Sequence, residues 1–169
     1  MSTITTLEEL FVEQLQDLYS AETQLIKALP AMAKAAHALA LKAGYKEHFT
    51  QTKEHAARLE QILEELGEKS AGKKCQAMEG LIKEGKGLIS EKASPEVKDV
   101  ALIAAAQCVE HHEIAGYGCA RTYAKILGHT DAAKTLQTTL DEEADTDKKL
   151  TVIAEKLNLL PQAELASKN

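Results

Sequence analysis

Acidic and imidazole side chains recur in this chain at positions where an apolar row should continue. In Val109-Glu110-His111-His112-Glu113-Ile114 the carboxylates Glu110 and Glu113 stand three apart, so they are neighbours on one helix face. Glu110 also continues the apolar row Ile103, Gln107, Ile114, Tyr117. A carboxylate in such a row points into a core, where an unpaired charge must be compensated. Three other segments carry a similar break. Glu22 interrupts Phe11, Leu15, Leu18, Leu25, Leu29, Met32, Ala36; His48, Thr52 and His55 precede Leu59, Ile62, Leu66; Glu143 and Asp147 interrupt Leu136, Leu140, Leu150, Ala154, Leu157. Each break falls near the middle of its segment, so at about 1.5 Å rise per residue they reach similar heights in an antiparallel bundle. Carboxylates joined by imidazole suit iron, manganese or zinc.

Taken one at a time, these residues have plainer readings. A single Glu can sit at a surface edge, and a single core His can simply be hydrogen-bonded. It is the coincidence of four mid-length polar breaks that points to metal. Helical phase turns His111, His112 and Glu54 away from the rows, and leaves most of Asp141-Glu142-Glu143-Ala144-Asp145 as a solvated face. Tyr19 and Tyr117 lie within two turns of the inward acids, where packing is their simpler role. Gly116 and Gly118 allow a neighbouring helix to approach closely, or mark a bend.

The periodicity predicts four long helices. Helix A spans residues 7–43, opened by a Thr6/Glu9 capping box, kinked at Pro30 and stopped by Gly44. Helix B spans 46–66, with Gly67 as its stop. Residues 70–93 form a long crossover with a weak helix of its own, because Gly80, Gly85 and Gly87 interrupt it. Ser94-Pro95-Glu96 starts helix C, which runs over 96–127 to Gly128. Thr130 caps helix D over 131–158, and the tail from Leu160-Pro161 frays. Short A–B and C–D links with one long B–C connection describe an all-α, ferritin-like four-helix bundle in a single domain.

Composition agrees and excludes other classes. The 169 residues are 44% apolar but only 4% aromatic, with no Trp. A formal charge of −6 without a basic stripe argues against nucleic acid or anionic membrane as partner. No apolar run is long enough to span a bilayer, and the N-terminus lacks the features of a signal peptide, so a cytoplasmic protein is expected. Cys75, Cys108 and Cys119 lack CxxC spacing and read as reduced thiols.

Several stretches carry a family resemblance: Asp17-Leu-Tyr-Ser-Ala-Glu-Thr-Gln-Leu, His48-Phe-Thr-Gln-Thr, Cys75-Gln-Ala-Met-Glu-Gly-Leu-Ile, Asp99-Val-Ala-Leu-Ile-Ala-Ala-Ala-Gln, Val109-Glu-His-His-Glu-Ile-Ala-Gly-Tyr-Gly and Thr139-Leu-Asp-Glu-Glu with Thr146-Asp147. Over nearly its whole length the chain resembles the bacterial stress-associated ferritin-like family of YciF and YciE, a domain of unknown function. The resemblance implies a ferritin-like bundle, a homodimer and a dimetal centre, without implying a particular reaction. The chain departs from the usual dimetal pattern of Glu-x-x-His on helices B and D. Helix B reads Thr52-x-x-His55, with Gln51 where the family often has an acid; helix D reads Glu143-x-x-Thr146-Asp147. The inferred ligands are therefore Glu22, His55, Glu110, Glu113, Glu143 and Asp147, with His48 in reserve on helix B.

Two functions follow. One is a stress metalloprotein holding two iron or manganese ions (zinc in vitro) that reacts with a small oxidant, peroxide or oxygen. The other is a non-enzymatic dimeric scaffold whose inward acids are met by Thr52, His48, His55 and Arg121.

Overall fold

The computed structural model describes residues 4–166, with side chains through residue 157. Among these the chain is all-helical, with five helices and no strand: α1 (Leu7–Ala35), α2 (Leu39–Glu65), α3 (Gln76–Ser90), α4 (Pro95–Leu127) and α5 (Thr130–Ala166). α1 packs on α2, α4 on α5, α1 on α4 and α2 on α5, which closes the four long helices around one interior. α3 lies outside, against α1 and α4.

Local chemistry sets most ends. The Thr6 hydroxyl accepts from the Glu9 N–H at 3.1 Å while the Glu9 carboxylate accepts from the Thr6 N–H at 3.0 Å, the reciprocal capping box. Ser94 caps α4, and Pro95 occupies its first turn. Gly67 and Gly128 terminate α2 and α4 at φ 75° and 83°, a region that favours glycine. α5 starts at Thr130, one residue earlier than expected, and its backbone stays helical through Leu160-Pro161 to Ala166, where the sequence suggested fraying.

The first interhelical turn is misplaced by sequence reasoning. α1 runs through Pro30 but stops at Ala35, and α2 begins at Leu39, so Gly44 lies inside α2 rather than ending helix A. No Gly or Pro marks the break. Its cause is Asp99 on α4, buried, whose two carboxylate oxygens accept from the His37 and Ala38 N–H groups at 2.7 and 2.6 Å. The carboxylate satisfies orphan donors at the start of α2, which offers no side-chain cap of its own. Asp99→Ala is expected to destabilise the protein by about 1–2 kcal/mol by leaving those part-buried donors unpaired. Urea unfolding checks the loss, and Asp99→Asn should show a smaller one.

The interior is layered. One apolar cluster holds Leu25, Leu29, Tyr45, Leu102, Ile103 and Leu150. The other holds Phe11, Leu15, Leu18, Leu59, Tyr117 and Leu136. The polar breaks of all four long helices fall between them: Glu22 between Leu18 and Leu25, His48 and His55 between Tyr45 and Leu59, Glu110 and Glu113 between Ile103 and Tyr117, Glu143 between Leu136 and Leu150. This register makes α1 antiparallel to α2 and α4 antiparallel to α5, and the crossover brings α2 and α4 parallel. Gly116 permits the α1–α4 approach beside this layer, since a Cβ there would stand 2.7 Å from Leu18 Cδ2. Gly118 meets no such neighbour.

Candidate metal centre

Each long helix delivers at least one buried polar side chain to the central layer. Glu22 comes from α1, His48 and His55 from α2, Glu110 and Glu113 from α4, and Glu143 from α5. His48 and His55 are seven residues apart, two helical turns, so both face inward. Glu110 and Glu113 share a face across one turn.

The donor atoms form two groups. His48, Glu110, Glu113 and Glu143 can each present one within 4.8 Å of the others, and so can Glu22, His55 and Glu143. Glu143 belongs to both. Its Oε2 lies 4.0 Å from His48 Nδ1 and its Oε1 lies 2.8 Å from His55 Nδ1. His48 Nε2 is 3.4 Å from Glu110 Oε1, and His55 Nδ1 is 3.5 Å from Glu22 Oε1.

Close as they are, these atoms do not satisfy one another. Both oxygens of Glu113 and Glu143, one each of Glu22 and Glu110, both nitrogens of His48 and Nδ1 of His55 are buried without an aligned hydrogen-bond partner. Such groups carry a desolvation penalty that hydrogen bonds ordinarily remove. A set of orphaned oxygens and imidazole nitrogens facing shared points is what oxygen- and nitrogen-binding cations require, so the residues present fit metal.

The electrostatics follow from burial and crowding. Burial, with the Glu143 charge added, raises Glu22 to about 7 despite the nearby His55 ring and the Tyr117 hydroxyl bond. Burial and neighbouring carboxylates hold Glu110 and Glu113 well above the usual range. Burial keeps His48 below its ordinary value, although Glu143 pulls the other way. Burial also opposes the charge on His55, but Glu143 and Glu22 outweigh it and raise the ring to about 10. Burial works against the Glu143 charge as well; His55 and His48 nevertheless hold that carboxyl low.

Around these lies a supporting set. The Tyr117 hydroxyl donates to Glu22 Oε1, which makes it more than a packing aromatic, whereas Tyr19 packs against the apolar cluster below. His55 Nε2 is 2.8 Å from Glu142 Oε2, and Arg58 Nη1 donates to the same oxygen at 2.6 Å. Glu142 is held below its ordinary range, chiefly by Arg58. A carboxylate on the outer ring nitrogen holds the orientation of the ring and leaves Nδ1 facing the cluster. In the sequence Glu142 reads as part of a solvated face; Arg58, one turn past His55, reaches over from α2 and draws it to the ring.

Asp147 is not brought to the cluster. Its side chain is 21% exposed, accepts from Gln107 Nε2 at 3.1 Å and faces His111 Nε2 at 3.4 Å. The reason is phase: the inward row of α5 runs Leu136, Thr139, Glu143, Thr146, Leu150, and Asp147 is rotated about 100° past Thr146. His48, the reserve candidate, stands inside the cluster instead. Arg121 does not reach the acids either; its Nη1 donates to Gln137 Oε1 at 2.6 Å. Cys75 shows no nucleophilic activation, since burial, with Asp17 beside it, pushes the thiol up to about 11; Cys108 and Cys119 are exposed.

An all-helical chain with a buried layer of four glutamates and two histidines defines a carboxylate–histidine class of helical protein. The chain belongs to the family described as "Domain of unknown function (DUF892)", whose model matches residues 6–161. It is 46% identical over 150 residues to Protein YciF of Escherichia coli (strain K12), covering 88% of this chain and 90% of that protein. The crystal structure of the E. coli stress protein YciF superposes with a TM-score of 0.88 at 44% identity, over 91% of this chain and 98% of that one. YcfI of Rhodopseudomonas palustris gives 0.84 at 42% identity, over 88% and 94%. No helix among the described residues is long and apolar enough to cross a membrane.

Proposed function

We propose that this protein is a ferritin-like four-helix bundle that carries two iron or manganese ions and reacts with a small oxidant. The observation that carries the reading is the pair of buried donor groups sharing Glu143. Ferritin-like dimetal carboxylate sites take four glutamates and two histidines. The same inventory is present here, differently distributed. Both histidines come from α2 and two glutamates from α4, so Glu113 and His48 make up for the missing Glu-x-x-His pairs. Four ionised carboxylates would need four positive charges in a buried layer, which two divalent cations supply.

In this reading Glu22, His55 and Glu143 would hold one ion, and His48, Glu110, Glu113 and Glu143 would hold the other. The ions, when bound, supply Lewis acidity and one-electron chemistry toward the oxidant. The chain's own groups do the rest. Tyr117 orients Glu22 through its hydroxyl, and Glu142 with Arg58 keeps the His55 ring aimed inward. A cavity of about 40 Å³ runs from Met32, Leu81 and Ile89 to His48 and Glu110. At about 10–15 Å³ of such volume per water, it has room for about three water-sized molecules, enough to admit dioxygen or peroxide, and its walls are mostly apolar. The scaffold reading is less well supported, because the Thr52 hydroxyl donates to the His48 carbonyl at 2.7 Å and Arg121 to Gln137.

Metal analysis of protein purified without chelator tests the proposal. The wild type is expected to carry about two ions per chain, and Glu110→Ala/Glu143→Ala to lose them. Failure of the wild type to take up iron or manganese under anaerobic loading would sink the dimetal reading. Peroxide consumption by the loaded protein then tests the reaction; binding without turnover would leave a metal-binding role alone. Light scattering checks the homodimer that the family resemblance implies.

A further inference from the structure

A second group of metal-ligand side chains lies outside the glutamate layer, where the crossover enters α3. Asp17 on α1, Cys75 immediately before α3 and His112 on α4 can each present a donor atom within 4.8 Å of the other two. Cys75 is buried, while Asp17 and His112 are partly open to solvent. The Cys75 Sγ to His112 Nε2 separation is 3.5 Å. Sulfur at about 2.3 Å and nitrogen at about 2.0 Å from one tetrahedral ion stand about 3.5 Å apart.

The thiol is held in place by its own backbone. The Cys75 N–H donates to Ser20 Oγ at 3.0 Å, and its carbonyl accepts from Gln24 Nε2 at 3.1 Å. Both partners belong to α1, as does Asp17, so α1 fixes the position from which Cys75 faces His112. Three ligands of different softness, drawn from three parts of the chain, are thus preset before any ion arrives.

We propose that Asp17, Cys75 and His112 form a mononuclear site for a borderline-soft divalent cation of the zinc class, which fastens the start of α3 to α1 and α4. Thiolate, imidazole and carboxylate together suit zinc better than the hard, oxygen-rich layer nearby. The bound ion displaces the thiol proton to solvent through the open side. A water takes the fourth position. This site shares no ligand with the glutamate layer and does not depend on the dimetal reading.

Cobalt(II) substitution tests it, because only a thiolate ligand gives a sulfur-to-cobalt charge-transfer band. The test protein carries Cys108→Ser and Cys119→Ser, which leaves Cys75 as its one thiol. A charge-transfer band saturating at one equivalent of cobalt is expected, retained when Glu110→Ala/Glu143→Ala is added. Substitution of an outer partner already weakens metal sites by about 10–100-fold, so His112→Ala and Asp17→Ala should each weaken binding at least that much. Zinc should displace cobalt and slow hydrogen exchange in Gln76–Ser90, with no slowing in Cys75→Ser. No band, or a band whose affinity ignores both His112 and Asp17, overturns the proposal and leaves a thiol–imidazole hydrogen bond. Loss of metal from the glutamate layer with the band intact would refute the dimetal reading alone.

Discussion

Glu113→Leu is expected to stabilise the metal-free protein and to weaken its stabilisation by metal. Both Glu113 oxygens are buried and unpartnered, and its carboxyl is held far above its ordinary range by burial and by Glu22, Glu143 and Glu110. Replacing such a group by an apolar side chain of similar volume removes a desolvation penalty of about 1–3 kcal/mol. In a chain of this length that raises the melting temperature by about 2–4 °C per kcal/mol. The loaded wild type gains instead from ligand binding, about 4 kcal/mol when free metal exceeds the dissociation constant 1,000-fold. The two proteins should therefore exchange rank. With chelator the leucine variant melts higher, and with iron or manganese the wild type does. Thermal unfolding in both conditions reads this directly, and a variant that melts lower in both would show Glu113 to be an ordinary structural residue.

The second large effect is an opposite response to pH. Glu22, raised from 4.5 to about 7, binds a proton in the folded state that the unfolded chain has released. Its contribution to stability is lost as pH rises through that window. His55, raised from 6.5 to about 10, acts in the same sense: its stabilisation is complete below 6.5 and lost as pH climbs toward 10. Glu142 and Glu143, held low, and His48, also held low, act in the other sense, but only in acid, below their unfolded values. From pH 7 to 9 the loss comes chiefly from His55, because most of the Glu22 contribution is already gone by pH 7. At about 1.4 kcal/mol per pH unit for each proton, chelated protein should lose about 2–3 kcal/mol over that range. Metal displaces those same protons, so apparent affinity rises with pH. Urea titrations of chelated protein at pH 7 and 9 check the first half, and metal titrations at the same values the second. Stability that is flat or rising in the chelated protein would contradict the charge state assigned to His55.

Tyr117 shows why the site could be located in the sequence but not completed there. It follows Glu110 by two turns on α4, so its inward direction was legible. That its hydroxyl meets Glu22 on α1 depends on how the two helices pack. The same limit applies to Glu142, whose place on α5 reads as solvated until Arg58 and His55 arrive from α2. Asp147 and Thr146 differ by one residue, and a rotation of about 100° decides which of them faces inward. Small errors of phase accumulate along a helix of 37 residues, and packing against α4 sets the row that counts.

The sequence by itself determined that this chain is helical, where most helices begin and end, that Glu22, His55, Glu110 and Glu143 interrupt apolar rows, and that Glu113 shares a face with Glu110. Those are local facts, governed by a period of 3.6 residues and by capping chemistry within a few residues. Only the tertiary structure decided the break at residues 36–38, the entry of His48 into the glutamate layer and the meeting of Asp17, Cys75 and His112. Each depends on side chains far apart in the chain, such as Asp99 reaching the His37 and Ala38 amides, and helix packing alone brings them within a few ångströms.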